Sequence, residues 1–363
     1  MTKNIVLCFD GTSNRLKARA STNVVRLFEM LDLSDPEQQI AYYSPGVGTF
    51  SSPGAWTPAA QWVSKMLGLA FGAGLRKNLG EAYTFLIQRW EPGDRLFLFG
   101  FSRGAYTARA LAGLLHTCGL PRGGCENLVP YAVSEYARER REFSADDWTQ
   151  IRRFAGTFSV PMPEPFKVPA SFTDASVPVE FLGVWDTVKT AGNLRGELKW
   201  PYTRQIPNVR RVWHAVALDE KRGAYREYLV QAKSPWPEVA EVWFAGVHSD
   251  IGGGFAENDS DLAHIALKWI ADGAIGAGVT INPGAYRKIC PLTTKHASGK
   301  VHWPGLGRAV LWRVCGGYGP RSVPPGARIH SSVRRRIGED GKYRDRIPAD
   351  AGWADQEWLT PGA

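Results

Sequence analysis

The sequence predicts a doubly wound α/β domain built on a mostly parallel sheet. Three observations lead there. Five short apolar runs each end in a polar or glycine-rich turn. Helical patterns lie between them. The third run leads through Gly100-Phe101-Ser102-Arg103-Gly104 straight into a helix.

The first run is Ile5 to Phe9, followed by Asp10-Gly11-Thr12. The second is Gln39 to Tyr43, followed by Ser44-Pro45-Gly46-Val47-Gly48. Arg95 to Phe99 precedes Gly100, Val179 to Trp185 precedes Asp186, and Glu241 to Val247 precedes His248. None alternates strictly between apolar and polar residues. Such runs suit strands covered on both faces, as in a parallel sheet.

Helical periodicity fills the gaps at Val24 to Leu33, Asn78 to Trp90 and Ala105 to Leu115. Pro92-Gly93-Asp94 stops the second pattern, and Gly119 and Pro121 stop the third. After the fifth run, Leu262, Ile265, Ala266, Trp269 and Ile270 form one apolar face with Ser260 as the N-cap. Residues 50–75 and 121–175 read as insertions and are lid candidates. The organisation expected is a catalytic domain over 1–300 and a basic C-terminal extension over 301–363, packed on it or appended to it.

The chain of 363 residues carries a formal net charge of +9. Most of that excess sits in residues 301–346, with ten Lys/Arg against three Asp/Glu. The patch fits an anionic membrane surface, and it equally fits a solvated basic face. No aromatic-plus-basic repeat of the nucleic-acid modules occurs, so no nucleic-acid partner is expected. The five cysteines include no CxxC pair, so neither a zinc knuckle nor a redox motif is signalled. No signal peptide and no run of about 18 apolar residues is found. The expectation is a protein made in the cytoplasm.

The chemistry centres on Ser102. A bare GxSxG is common by chance, but a strand before it and a helix after it make the pattern specific for an α/β-hydrolase-like nucleophile turn. Gly100 and Gly104 leave room for the sharp bend. The helix N-terminus points its dipole at a developing oxyanion. The amide of Arg103 is one expected oxyanion donor, and the Asp10-Gly11-Thr12 turn, through Gly11 or Thr12, offers the second. The aspartyl phosphatase motif DxDGT is excluded, because Cys8 stands where its nucleophile belongs.

A serine nucleophile needs a base and an orienting acid. His116 reads as a helix cap and His264 as solvated, while nothing distinguishes His296 or His302. His214 opens His214-Ala215-Val216-Ala217-Leu218-Asp219-Glu220 and reads as structural or supporting. His248 lies at a strand's carboxyl end, on the rim where α/β enzymes bind ligands. Two solutions keep the order serine, acid, histidine. The first is Ser102, Asp186 and His248; the second is Ser102, Asp250 and His330. The first is favoured, because both partners end strands.

Taken together, Phe9-Asp10-Gly11-Thr12, Tyr43 to Thr49, Gly100 to Ala105, Val184 to Val188, His214 to Arg222 and His248 to Gly254 resemble the catalytic domain of type VI secretion lipase effectors, a bacterial family. The resemblance implies an α/β-hydrolase fold, lipase or phospholipase activity, and Ser102, Asp186 and His248 as the triad. It also implies export by a type VI route. A lipid or other ester is the expected substrate, no metal or organic cofactor is needed, and no protein partner is specified. A soluble esterase and a catalytically silent binding module are the alternatives.

Overall fold

A computed structural model describes residues 2–11, 20–46, 71–138, 143–164, 167, 172–188, 200–231, 237–291, 293–303, 317–340 and 343–359. Among them, eight strands form one sheet: β1 (Asn4–Phe9), β2 (Gln39–Ser44), β3 (Arg95–Phe101), β4 (Val179–Trp185), β5 (Val209–Ala217), β6 (Glu238–Phe244), β7 (Arg328–His330) and β8 (Gly352–Ala354). Their spatial order is β2-β1-β3-β4-β5-β6-β7-β8, and every pairing is parallel. A parallel sheet with helices on both faces is the architecture the sequence predicts.

Burial on both faces explains why the strands read as unbroken apolar runs. In β1, Ile5, Leu7 and Phe9 enter one core layer, while Val6 and Cys8 enter the other. In β3, Leu96 and Leu98 face the first layer, while Phe97, Phe99 and Phe101 face the second. Burying each such side chain contributes about 1.5–3 kcal/mol relative to exposure. The first layer is covered by α2 (Phe71–Arg89), α3 (Arg103–Thr117), α4 (Val129–Tyr136) and α5 (Ala145–Phe158). The second is covered by α1 (Asn23–Met30), α7 (Asp261–Ala277) and α8 (Pro283–Ile289), with the single-turn α6 (His248–Gly252) beside them.

Three strands escaped the sequence reading. β5 is interrupted by Arg210, Arg211 and His214, so it shows neither an apolar run nor a clean alternation. β7 and β8 have three residues each, too short for periodicity to register. Both come from the C-terminal stretch and extend the same sheet. Its basic residues are partly spent inside the fold. Arg336 donates to the carbonyls of Ala297 and Gly299 at 2.7 Å each, Arg346 to Asp219 at 2.6 Å, and Arg334 lies over Trp353. Arg308, Arg313 and Lys342 lie outside the described residues.

Of the two insertions, residues 50–70 lie outside the described residues. In the other, α4 and α5 pack Val129, Val133, Tyr136, Ile151 and Phe154 into the first core layer. Ser144 and Asp147 form a capping box at the start of α5. The described part of that insertion therefore packs onto the domain as part of its first layer. No helix among the described residues is long and apolar enough to cross a membrane.

His116 is not the helix cap; Cys118 is, and His116 is buried with Nδ1 2.9 Å from Ser176 Oγ. Burial pushes its pKa down to about 4. The unfolded chain takes up this proton near pH 6.5, and the folded chain only near pH 4. Stability is therefore full above the unfolded value and falls as pH drops through that window. His116→Gln should remove up to about 3 kcal/mol of the stability lost between pH 7 and pH 4. Urea unfolding at both pH values measures this, and an unchanged loss would assign the titration to another group.

Candidate active site

The strand order reverses between β1 and β3, and in open α/β sheets the crevice at such a reversal is where ligands bind. Asp10 and Gly11 follow β1 there, and Ser102 follows β3. Ser102 has φ 59° and ψ −120°, a conformation costly for a residue with a Cβ. The surroundings enforce it. A Cβ on Gly100 would lie 2.5 Å from the Gly104 carbonyl oxygen, and one on Gly104 would lie 2.1 Å from the Phe9 carbonyl oxygen. Gly104→Ala should therefore cost roughly 3 kcal/mol or more. Gly156→Ala, in α5 with open space around it, should be neutral or stabilising. Denaturation midpoints of the two variants test the contrast, and equal midpoints would remove the steric account of the turn.

His248 opens α6, four residues beyond the end of β6 rather than at the strand end itself. Its turn is pinned twice. The Asp250 carboxylate accepts the Val247 N–H at 2.9 Å, and the Glu220 carboxylate accepts the His248 N–H at 3.2 Å. The ring lies between Phe101 and Tyr225, with centroids 4.6 and 4.8 Å away. Its Nε2 is 2.8 Å from Ser102 Oγ, and its Nδ1 is 2.6 Å from Asp186 Oδ2.

Asp186 follows β4 with φ 38° and is fully buried. Oδ1 accepts the Ala217 N–H at 2.9 Å. The Arg321 guanidinium grips both oxygens, Nη1 to Oδ1 at 2.5 Å and Nη2 to Oδ2 at 3.0 Å. Burial alone would raise the carboxyl pKa; Arg321 and His248 outweigh it and hold it well below the usual carboxylate range. For His248, burial lowers the pKa, Asp186 pulls it back, and the net is below the ordinary value. Near neutral pH the imidazole is therefore uncharged. The ionised Asp186 accepts from Nδ1–H, which leaves Nε2 to accept from the Ser102 hydroxyl.

His214 lies in the middle of β5, fully buried. Its Nε2 accepts the Thr187 N–H at 3.2 Å, and Nδ1 is 2.8 Å from Glu241. It thus supports the backbone next to Asp186 from below. The second sequence solution does not assemble. Asp250 pairs with His302, whose Nδ1 is 2.7 Å from Oδ1. His330 is stacked on Phe244 and bonded to Ser332 and Asp355 at 2.8 and 3.1 Å. His264, read as solvated, is buried beside Glu257.

One of the expected oxyanion donors is engaged elsewhere. The Gly11 N–H donates to the Asp10 carboxylate at 2.6 Å. Asp10 is buried, and a buried carboxylate gathers every donor in reach. Its other oxygen takes the hydroxyls of Thr22 and Tyr43 at 2.9 and 2.7 Å. Thr12 lies outside the described residues. Arg103 is the first residue of α3, so its amide stands at the positive end of that helix.

Two partners of the site were not singled out from sequence. Glu220 stands inside the His214 to Arg222 motif, but nothing local marks it as reaching His248. Arg321 sits in the basic stretch and reads there as surface charge.

Comparison with known proteins gives three results. The uncharacterized protein YEL023C of Saccharomyces cerevisiae is 27% identical over 420 residues, spanning 82% of this chain and 60% of that protein. Similar chains therefore occur outside bacteria, and the chain spans under two thirds of this relative's length. Among solved structures, an uncharacterized protein from Pseudomonas aeruginosa is 21% identical, with a TM-score of 0.44 over 88% of this chain and 51% of that one. The Tle1 effector bound to the VgrG spike of the type 6 secretion system is 16% identical, with a TM-score of 0.46 over 89% of this chain and 84% of that one. The family described as T6SS phospholipase effector Tle1-like, catalytic domain, matches residues 3–273, and the chain belongs to that family.

Proposed function

We propose that this chain is a serine hydrolase of carboxylic esters, of the lipase or phospholipase type, acting through an acyl-enzyme on Ser102. The observation that carries the reading is the continuous hydrogen-bonded line from Ser102 Oγ through His248 to Asp186, at 2.8 and 2.6 Å, at the sheet's point of reversal. Membership of the phospholipase-effector family supports a lipid substrate.

In this reading His248 Nε2 takes the Ser102 proton as Oγ attacks the ester carbonyl. Asp186 keeps Nδ1–H in place and stabilises the imidazolium that forms. The Arg103 amide meets the oxyanion at the head of α3. The Gly11 amide joins it only when it leaves the Asp10 carboxylate. His248 then returns the proton to the leaving alcohol and activates water against the acyl-enzyme.

Fatty-acid release from anionic phospholipid vesicles, by the protein and by Ser102→Ala, tests this. Release that vanishes in the variant is the expected result. Turnover of short-chain soluble esters with no gain on vesicles would replace the lipid reading with a soluble esterase. Failure of Ser102 to react with a fluorophosphonate would point to a catalytically silent binding module.

A further inference from the structure

The residue with the most demanding environment around the site comes from outside the stretch that matches the family. Arg321 lies beyond residue 273, is buried, and places its guanidinium against the Asp186 carboxylate at two points. The same group also donates to the Ala217 carbonyl at 3.0 Å and to the Tyr225 carbonyl. It therefore ties together the end of β4, the end of β5 and the turn that carries Tyr225, whose ring covers His248.

The chain on either side of this contact is clasped to the other half of the site. The Gly223 N–H donates to the Gly317 carbonyl and the Gly319 N–H to the Lys221 carbonyl, both at 2.8 Å, and Tyr318 bridges Arg222. The clasped stretch, Lys221 to Gly223, directly follows Glu220, the acceptor of the His248 N–H. One segment, 317–321, thus reaches the acid directly and the base through one intermediary.

We propose that Arg321 is a positioning residue of the hydrolytic site, fixing the plane of the Asp186 carboxylate so that Oδ2 meets His248 Nδ1. The proposal rests on reading Ser102, His248 and Asp186 as the triad. A carboxylate at a strand end on a left-handed backbone turns about two side-chain bonds. Held by a planar two-point fork and the Ala217 amide, it keeps one orientation. The arrangement has an electrostatic cost: a cation beside Asp186 weakens the acid's hold on a protonated His248.

The test is the pH profile of kcat/KM on a soluble activated ester. The charged and titratable groups facing Asp186 and His248 are Arg321, Arg222, Glu220, His214 and Tyr225, with Glu227 3.7 Å from Arg321 Nε. In Arg321→Gln the cation that opposes protonation of the acid–base pair is gone. The acid limb should move up, because Asp186 then holds a proton on His248 more firmly. The plateau should fall about 10–100-fold, as for partners one shell removed from metal ligands. Arg321→Lys should keep the limb in place while losing part of the plateau, because one ammonium cannot grip both oxygens.

Removal of one member of a buried ion pair can prevent folding. The double variant Asp186→Asn/Arg321→Gln removes both charges and covers that case. Against Asp186→Asn alone, followed by the rate of fluorophosphonate labelling of Ser102, it should lose little more. A full second loss there would overturn the proposal, as would an unmoved limb in Arg321→Gln. If Ser102→Ala abolishes hydrolysis while the limb stays put, this inference fails and the triad reading stands. If Ser102→Ala hydrolyses at the full rate, both fail.

Discussion

Ser102→Ala should leave a folded protein whose kcat on esters is lower by about 10⁶, the scale at which loss of a serine nucleophile removes the whole triad's contribution. Ser102 is buried at the turn between β3 and α3, and its hydroxyl meets only His248 among its described side-chain partners. Its replacement leaves no unpaired charge, so the change in stability should be small. The strained backbone belongs to the turn, which Gly100 and Gly104 impose whatever stands between them. A thermal midpoint within a few degrees of the parent, with hydrolysis lost, is the combination expected. A variant that still turns over at more than about one part in a thousand would place the nucleophile elsewhere.

Asp186→Asn should cost about 10⁴ in kcat, because an amide can present N–H to Nδ1 and favours the wrong imidazole tautomer. Asp250→Asn should cost at most about tenfold in kcat and about 2 kcal/mol in stability. The geometry gives the two acids different duties. Asp186 meets the imidazole of His248, whereas Asp250 holds the Val247 amide and His302. Kinetics of the two variants measured side by side separate them. A collapse of turnover in Asp250→Asn alone would overturn the assignment.

The depressed pKa of His248 bears on both experiments. The proposed chemistry requires the neutral imidazole, so the acid limb of the parent protein should lie below the ordinary histidine value. Rate comparisons made near neutral pH then report chemistry rather than protonation.

The parallel sheet and the sharp turn that carries Ser102 were legible in the residues alone. Fully buried parallel strands write themselves as apolar runs, and β1, β3 and β4 do so within a residue or two. A turn that admits no Cβ two residues either side of a serine writes itself as GxSxG. Asp186 and His248 could be short-listed because they follow strands, but so could Asp250, and strand ends say nothing of which side chains meet. Which of them meet is settled by the folded chain. It sent Asp250 to His302 and His330 to Asp355, and it turned the Gly11 amide toward Asp10. It also converted Arg321 from a surface charge in a basic stretch into the partner of Asp186 across 135 residues of chain. Buried charges explain the division: a carboxylate removed from water takes its partners from whatever the fold brings near, and that choice leaves no local pattern in the sequence.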